Sequence, residues 1–364
     1  MYFILAITIF LLLVLLFLTQ PKFGKIPSAN RLANIATSKN YKDKKFQNLS
    51  FTPDLSEGVT YTKVLREFIF NRSQRLEPKD ILPSVQTNLK EINPDSNCVV
   101  WFGHSSYFIQ VDGKKILVDP VFSGNASPVS FTTKSFKGTN LYGVDDMPHL
   151  DLLIITHDHW DHLDYETISA LKPKVKQVVT GLGTAQHLEH WGFDKSMLHE
   201  ADWDDSLNFE EGLIIHAVPA RHFSGRGLKR NKALWMSFVL QTPTLKLYIG
   251  GDSGYDTHFK TIGEKHGPFD IAFLECGQYH ANWKYIHMMP EEVIQAAIDL
   301  KAKRSMPVHW AKFALAQHDW DEPILRVKAE ANRKNYSLIH PKIGELVDLV
   351  NATDQYAEWW SKLN

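Results

Sequence analysis

The chain has 364 residues, enough for one large domain or two modest ones, and its 44% hydrophobic and 22% charged content is that of an ordinary globular protein with ample core material. Its formal net charge is -1, and its aromatic residues are spread along the chain rather than set among basic clusters, which excludes the electrostatic footprint of a nucleic-acid binder. The two cysteines, Cys98 and Cys276, each sit in an apolar strand-like run, so they read as buried free thiols and not as a disulfide framework or a thiolate metal site.

Residues 2–18 are apolar apart from Thr8 and carry no charge, at the short end of the roughly 17–25 residues a membrane-spanning helix needs. A cleaved secretory signal would want basic residues before this run and a small-residue cleavage site after it. Met1-Tyr2-Phe3 leads in and Thr19-Gln20-Pro21-Lys22 leads out. The flank beyond carries Lys22, Lys25, Arg31, Lys39, Lys42, Lys44 and Lys45 against the single acid Asp43. Positive-inside reasoning therefore predicts an uncleaved single-pass anchor over residues 1–20, a membrane localisation, and a cytoplasmic body. The basic stretch is either a solvated linker or a segment lying on anionic headgroups. Residues 21–96 read as this linker followed by a strap that packs on the body or guards an entrance, with a helix over 64–70 and breaks at Pro78, Pro83 and Pro94.

Regular structure is predicted from residue 98 onward. Strands are expected at 98–102, 107–111 and 115–118, the last two joined by the turn Asp112-Gly113-Lys114. A strand at 151–156, a helix at 165–171, a strand at 175–180 and a helix at 184–191 follow. Further strands are expected at 213–219, 235–241, 245–249 and 271–275. A helix begins at Pro290 with Glu291 and Glu292 in its first turn, where the proline and the helix dipole both favour it. The pattern is an α/β body with mixed sheets over residues 97–350 and a C-terminal tail over 351–364, with no internal repeat.

The chemistry starts where the apolar run Leu152-Leu153-Ile154-Ile155 ends. There His157, His159, Asp161 and His162 leave one strand end together, and imidazole with carboxylate suits zinc or a similar divalent ion. Neighbouring ligands on so short a turn can serve two metals. His222 follows a strand in the same way, Asp252 follows Ile249 through Gly250-Gly251, and His309 follows Ser305-Met306-Pro307-Val308. Seven potential ligands thus come from four strand ends, which an α/β architecture can bring to one crevice. His187, His190, His199 and His216 lack such a context and read as structural.

His-x-His-x-Asp-His after a strand, then His222, Asp252 and His309 in that order, resembles the metallo-β-lactamase-fold hydrolases. Within them the chain is similar to the N-acyl-phosphatidylethanolamine-hydrolysing phospholipase D family and its bacterial relatives. The similarity rests on Trp101-Phe102-Gly103-His104, residues 117–123, residues 126–128, the turn 157–164, residues 250–255, Gly267-Pro268-Phe269-Asp270, His287, Pro290-Glu291-Glu292 and residues 308–316. It covers about residues 97–325 and leaves out the N-terminal segment. The resemblance implies an αββα sandwich of two mixed sheets and a site with two zinc ions, or other divalent metals on the same donors. His157, His159 and His222 would hold the first ion, Asp161, His162 and His309 the second, and Asp252 would bridge them. Asp161 is thereby a catalytic candidate as well as a ligand. His287, in the loop before the Pro290 helix, is the second catalytic candidate, as proton donor to a leaving alkoxide. Asp119 and Asp164 are candidates to orient ligand imidazoles. His104, Arg221, Tyr279 and His280 are candidates to line the substrate, and Trp283 and Tyr285 to line an acyl groove.

The function implied is a membrane-associated, metal-dependent phosphodiesterase acting on a phospholipid, with no nucleic-acid partner. Two alternatives stand beside it: the same site acting on another phosphodiester, a cyclic nucleotide or a lactone, and a membrane-anchored binding protein with a vestigial metal site. A complete ligand set weighs against the latter.

Overall fold

A computed structural model describes residues 2–351 and 356–364. The chain begins with α1 (Tyr2–Leu18), α2 (Ala29–Ile35), a hairpin of β1 (Tyr41–Lys42) and β2 (Lys45–Phe46), and α3 (Tyr61–Phe70). The first half of the body is β3 (Cys98–Trp101), β4 (Tyr107–Val111), β5 (Lys114–Val118), β6 (Leu150–Ile155), α4 (Tyr165–Leu171), β7 (Val175–Gly181), α5 (Ala185–His190) and β8 (Leu198–Ala201). The second half is β9 (Ser206–Asn208), β10 (Ile214–Val218), β11 (Ser237–Gln241), β12 (Lys246–Ile249), α6 (His258–Lys265), β13 (Ile271–Glu275), α7 (Pro290–Asp299), β14 (Arg304–Val308), α8 (Glu322–Lys334) and β15 (Ser337–Leu338). Finally β16 (Leu346–Asp348) returns to the first sheet beside β3.

The first half joined by β16, and the second half by itself, each build a seven-stranded sheet, in the orders β16-β3-β4-β5-β6-β7-β8 and β9-β10-β11-β12-β13-β14-β15. Read in those directions, both sheets run through three antiparallel pairings and then three parallel ones. The unbroken apolar runs have a direct cause, because alternate residues of one strand enter different layers. Leu152 and Ile154 join Ile109, Ile116 and Val118 in the core shared with Ile215, Phe238, Leu240 and Ile249 of the facing sheet. Leu153 and Ile155 instead join Phe108, Leu117 and Val178 beneath Ile168, Leu171 and Leu188 of α4 and α5. On the far side, Phe259, Ile262, Val293, Ile294, Ile324 and Val327 bring α6, α7 and α8 into the core. The result is an α/β fold of two mixed sheets with helices outside both. Cys98 and Cys276 are buried and free.

The expectation for the N-terminus is overturned. Residues 2–18 are helical, but at about 1.5 Å per residue they reach only about 26 Å, against a hydrocarbon core of roughly 30 Å. Among the described residues no helix is long and apolar enough to cross a membrane. The single-pass anchor and the localisation inferred from it therefore fall. The helix stops because the chain turns at Pro21–Phe23 and lies down on the body. Nor is the basic stretch a free linker. Lys22 Nζ donates to Pro128 O at 2.6 Å, and Arg31 pairs with both Glu189 and Glu200.

At the other end, residues 352–355 of the predicted tail lie outside the described residues. Trp359 and Trp360 beyond them are buried against Trp310, with ring centroids 5.3 and 5.7 Å from it. Trp360→Ala is expected to destabilise the fold by about 3–5 kcal/mol, the usual cost of emptying a buried aromatic site. Urea unfolding of the variant beside the parent checks this, and an unchanged midpoint would show the tail to be dispensable.

Candidate metal centre

The cluster gathers at the C-terminal ends of strands in both sheets. The 157–164 turn follows β6, Asp119 follows β5, His104 follows β3, His222 follows β10, Asp252 follows β12 and His309 follows β14. Gly251 is required by close approach, since a Cβ there would lie 2.4 Å from Met236 O and 3.0 Å from the Thr156 side chain. His104 and His309 both adopt left-handed backbone, φ 53° and 67°. The His309 N–H donates to His104 O at 2.9 Å, so each locally costly conformation is held by the other loop.

In the first group, His157, His159, His222 and Asp252, outer partners fix the tautomers of His157 and His222. His222 Nδ1 donates to Ile286 O at 2.8 Å, which leaves Nε2 a bare lone pair. Thr156 Oγ1 donates to Asp119 Oδ2 at 2.6 Å and so accepts from His157 Nδ1 at 3.0 Å, leaving His157 Nε2 bare as well. These two nitrogens lie 3.2 and 2.9 Å from His159 Nδ1, and 3.7 and 3.8 Å from Asp252 Oδ2. Two bare lone pairs and a carboxylate oxygen converging on a third imidazole form a donor set that a cation fits, since tetrahedral ligands at about 2.0–2.1 Å from zinc sit about 3.3 Å apart. Burial, foremost, pushes His157 and His222 well below the usual imidazole pKa, into the neutral form that ligates.

The second group is His104, Asp161, His162 and His309. Asp119 Oδ2 lies 2.8 Å from His162 Nδ1, turning Nε2 toward Asp252 Oδ1 at 3.2 Å and Asp161 Oδ2 at 3.5 Å. His309 Nδ1 is 3.1 Å from the same Asp252 oxygen. Burial opposes charge on His162, yet Asp252, Asp161 and Asp119 outweigh it and draw its pKa well upward. Burial likewise opposes charge on Asp252, but His162, His309 and His157 hold it well below the carboxylate range. His162 Nε2, His309 Nε2 and Asp252 Oδ1 are buried without a hydrogen-bond partner. The site therefore demands positive charge, which a divalent ion supplies and these donors fit.

The structure also shows where other predicted residues lie. His104 does not line the substrate space. It is fully buried, with Nε2 2.8 Å from Asp161 Oδ2. Asp164 accepts from Ser123 N at 3.0 Å and from the Thr167 hydroxyl, so it ties a loop to the start of α4 instead of orienting an imidazole. Arg221 turns outward to Thr52 Oγ1 and Phe51 O. Tyr279 is buried and donates to Glu322, His280 caps a short turn through Asn282 N, and Tyr285 reaches Glu57. An open cleft lies over the cluster. Its walls include Asp54, Leu55 and Tyr61 from the strap, with Phe223, Arg230, Gln278, Trp283, Ile286 and Leu315.

His287 stands at the cleft floor, its Nδ1 2.7 Å from Glu275 Oε2. Glu275 escaped the sequence reading, although a carboxylate closing the wholly buried strand Ile271–Glu275 was a signal. Lys312 was missed too. It is buried and donates to Phe102 O at 3.2 Å and Val121 O at 2.9 Å, bracing the loops that carry His104, Asp119 and His309.

Two mixed sheets whose strand ends converge on a buried His/Asp cluster able to hold metal ions define a metal-dependent hydrolase of the metallo-β-lactamase fold. The Beta-lactamase superfamily domain matches residues 114–310, and the chain belongs to that family. Similar proteins include an uncharacterized protein of Mycobacterium bovis, 36% identical over 331 residues, 89% of this chain and 87% of that protein. N-acyl-phosphatidylethanolamine-hydrolyzing phospholipase D 1 of Caenorhabditis elegans is 30% identical over 264 residues, 68% of this chain and 74% of that one. Among solved structures, Igni18, a metallo hydrolase from Ignicoccus hospitalis, aligns with a TM-score of 0.53 at 23% identity, over 69% of this chain and 97% of its own, which bears on the fold alone.

Proposed function

We propose that the chain is a phosphodiesterase of phospholipase D type that hydrolyses N-acyl-phosphatidylethanolamine to an N-acylethanolamine and phosphatidic acid, with two zinc ions as cofactor. The supporting observation is the posture of Asp252, whose Oδ2 faces His157 and His222 while its Oδ1 faces His162 and His309. One carboxylate would thus serve two cation positions. His157, His159 and His222 would hold one ion, and Asp161, His162 and His309 the other, with His104 steadying Asp161. Bound there, the ions supply an activated water nucleophile and neutralise charge developing on a phosphoryl group.

The remaining steps fall to the chain's own side chains. Asp119 and Ile286 O fix the rings of His162 and His222 from behind. His287, anchored through Nδ1 to Glu275, keeps Nε2 free to hand a proton to the departing alkoxide oxygen. Leu55, Phe223, Trp283, Ile286 and Leu315 give the cleft an apolar wall for acyl chains, among which Arg230 stands paired with Asp54 at 3.0 Å. The name borne by the C. elegans relative favours this substrate class over a lactone.

The test incubates zinc-loaded protein with the lipid in mixed micelles and follows both products. Turnover lost on chelation, restored by zinc and absent from a His157→Ala, Asp161→Ala control is the expected result. Lactone turnover without lipid turnover would assign a different substrate, and protein that neither binds metal nor turns over would support the reading of a binding protein with a vestigial metal site.

A further inference from the structure

The back of the 157–164 turn is held by residues the proposed chemistry does not use. Arg226 is 3% exposed and lies between this turn and the N-terminal strap. Its NH1 donates to Asp158 O at 3.0 Å and Leu163 O at 2.5 Å. Its Nε and NH2 both donate to Lys22 O, at 3.1 and 2.9 Å. The guanidinium also rests 4.0 Å from the centre of the Trp160 ring, which meets the Phe23 ring edge-to-face at 5.2 Å. One planar cation therefore gathers carbonyls from both segments, which a lysine's single ammonium point cannot reproduce.

A second tie runs in parallel. The Lys25 N–H donates to His187 Nδ1 at 3.0 Å, so the ring proton sits on Nε2 and points to Asp158 Oδ2 at 3.3 Å. Asp158 Oδ1 in turn accepts from Gly225 N at 2.7 Å. Gly24, at φ 69°, passes so close that a Cβ would fall 2.0 Å from His187 Nδ1. Asp158 and Trp160 alternate along the chain with His157, His159 and Asp161, so whatever holds the former sets where the latter point.

We propose that strap residues 21–25 complete the metal centre, with Arg226 and His187 as positioning residues that transmit strap docking to the ligand turn and thereby set metal affinity. This rests on the metal-site reading above. A partner or protease that lifted the strap would loosen the centre from behind without entering the cleft.

The test uses the full chain as parent, Gly24→Ala, Arg226→Met and Arg226→Lys. Zinc affinity is measured by competition with a chromophoric chelator, the ligand field by the visible spectrum of the cobalt-loaded protein, and apo-protein stability by urea. Gly24→Ala and Arg226→Met are expected to weaken zinc binding about 10–100-fold, as loss of outer partners does, and to alter the cobalt spectrum, with Arg226→Lys recovering part. Should Arg226→Met fail to fold, Gly24→Ala decides alone. Parental affinity and spectrum in Gly24→Ala would overturn the proposal, including where apo stability falls. A parent chain that binds no metal would instead overturn the site itself.

Discussion

Asp252→Asn is expected to lower hydrolysis by roughly a thousandfold or more and to cost the protein metal. The substitution keeps the shape and removes the charge. In the parent, burial alone would drive the carboxyl toward its neutral form, and the surrounding imidazoles hold it ionised. Its two oxygens lie 3.1–3.8 Å from four imidazole nitrogens belonging to two groups. An amide must turn its NH2 toward one of those groups, where it places a donor in the space a cation would take. Metal content by elemental analysis, together with kcat/KM, checks the expectation. Two metals retained and activity within about tenfold of the parent would show that Asp252 is not the shared residue.

What the sequence made legible, and what it did not, follows from how local each arrangement is. The 157–164 turn packs most of its ligands into one loop, so spacing alone disclosed them. His222, Asp252 and His309 were legible as polar residues just past strand ends. His104 and Glu275 act through partners on other loops, Asp161 and His287, and nothing in their immediate neighbourhood names those partners. Asp164 misled because an acid at a helix start and an acid behind an imidazole look alike in sequence. The matching pairing order of the two sheets left no repeat, since hydrogen-bond order constrains backbone and not side chains. The basic stretch after residue 20 looked unpaired because the acids that meet Arg31, Glu189 and Glu200, lie far along the chain. Apolar composition at residues 2–18 was plain, but the length of α1 was set by the turn at Pro21, where the chain finds the body.

His287→Ala is expected to slow cleavage of the phospholipid by about 10²–10⁴-fold, the range for losing a positioned acid. An alkoxide is a poor leaving group and needs its proton as the P–O bond breaks, whereas p-nitrophenolate departs without one. Bis(p-nitrophenyl) phosphate should therefore lose less than about tenfold in the same variant. Burial disfavours a charged His287, but Glu275 at 2.7 Å outweighs it and draws the imidazole pKa upward, toward the acid form the step needs. Glu275→Gln, which keeps an oxygen for Nδ1 and removes the charge, should fall between parent and His287→Ala on the lipid and match the parent on the activated ester. Equal losses on both substrates would assign His287 to holding the metal cluster, which its ring nears at 4.9 Å from His222 and 5.4 Å from His309. A loss confined to the lipid ties the imidazole to the leaving oxygen, because leaving-group basicity is the property that separates the two reactions at the bond being broken.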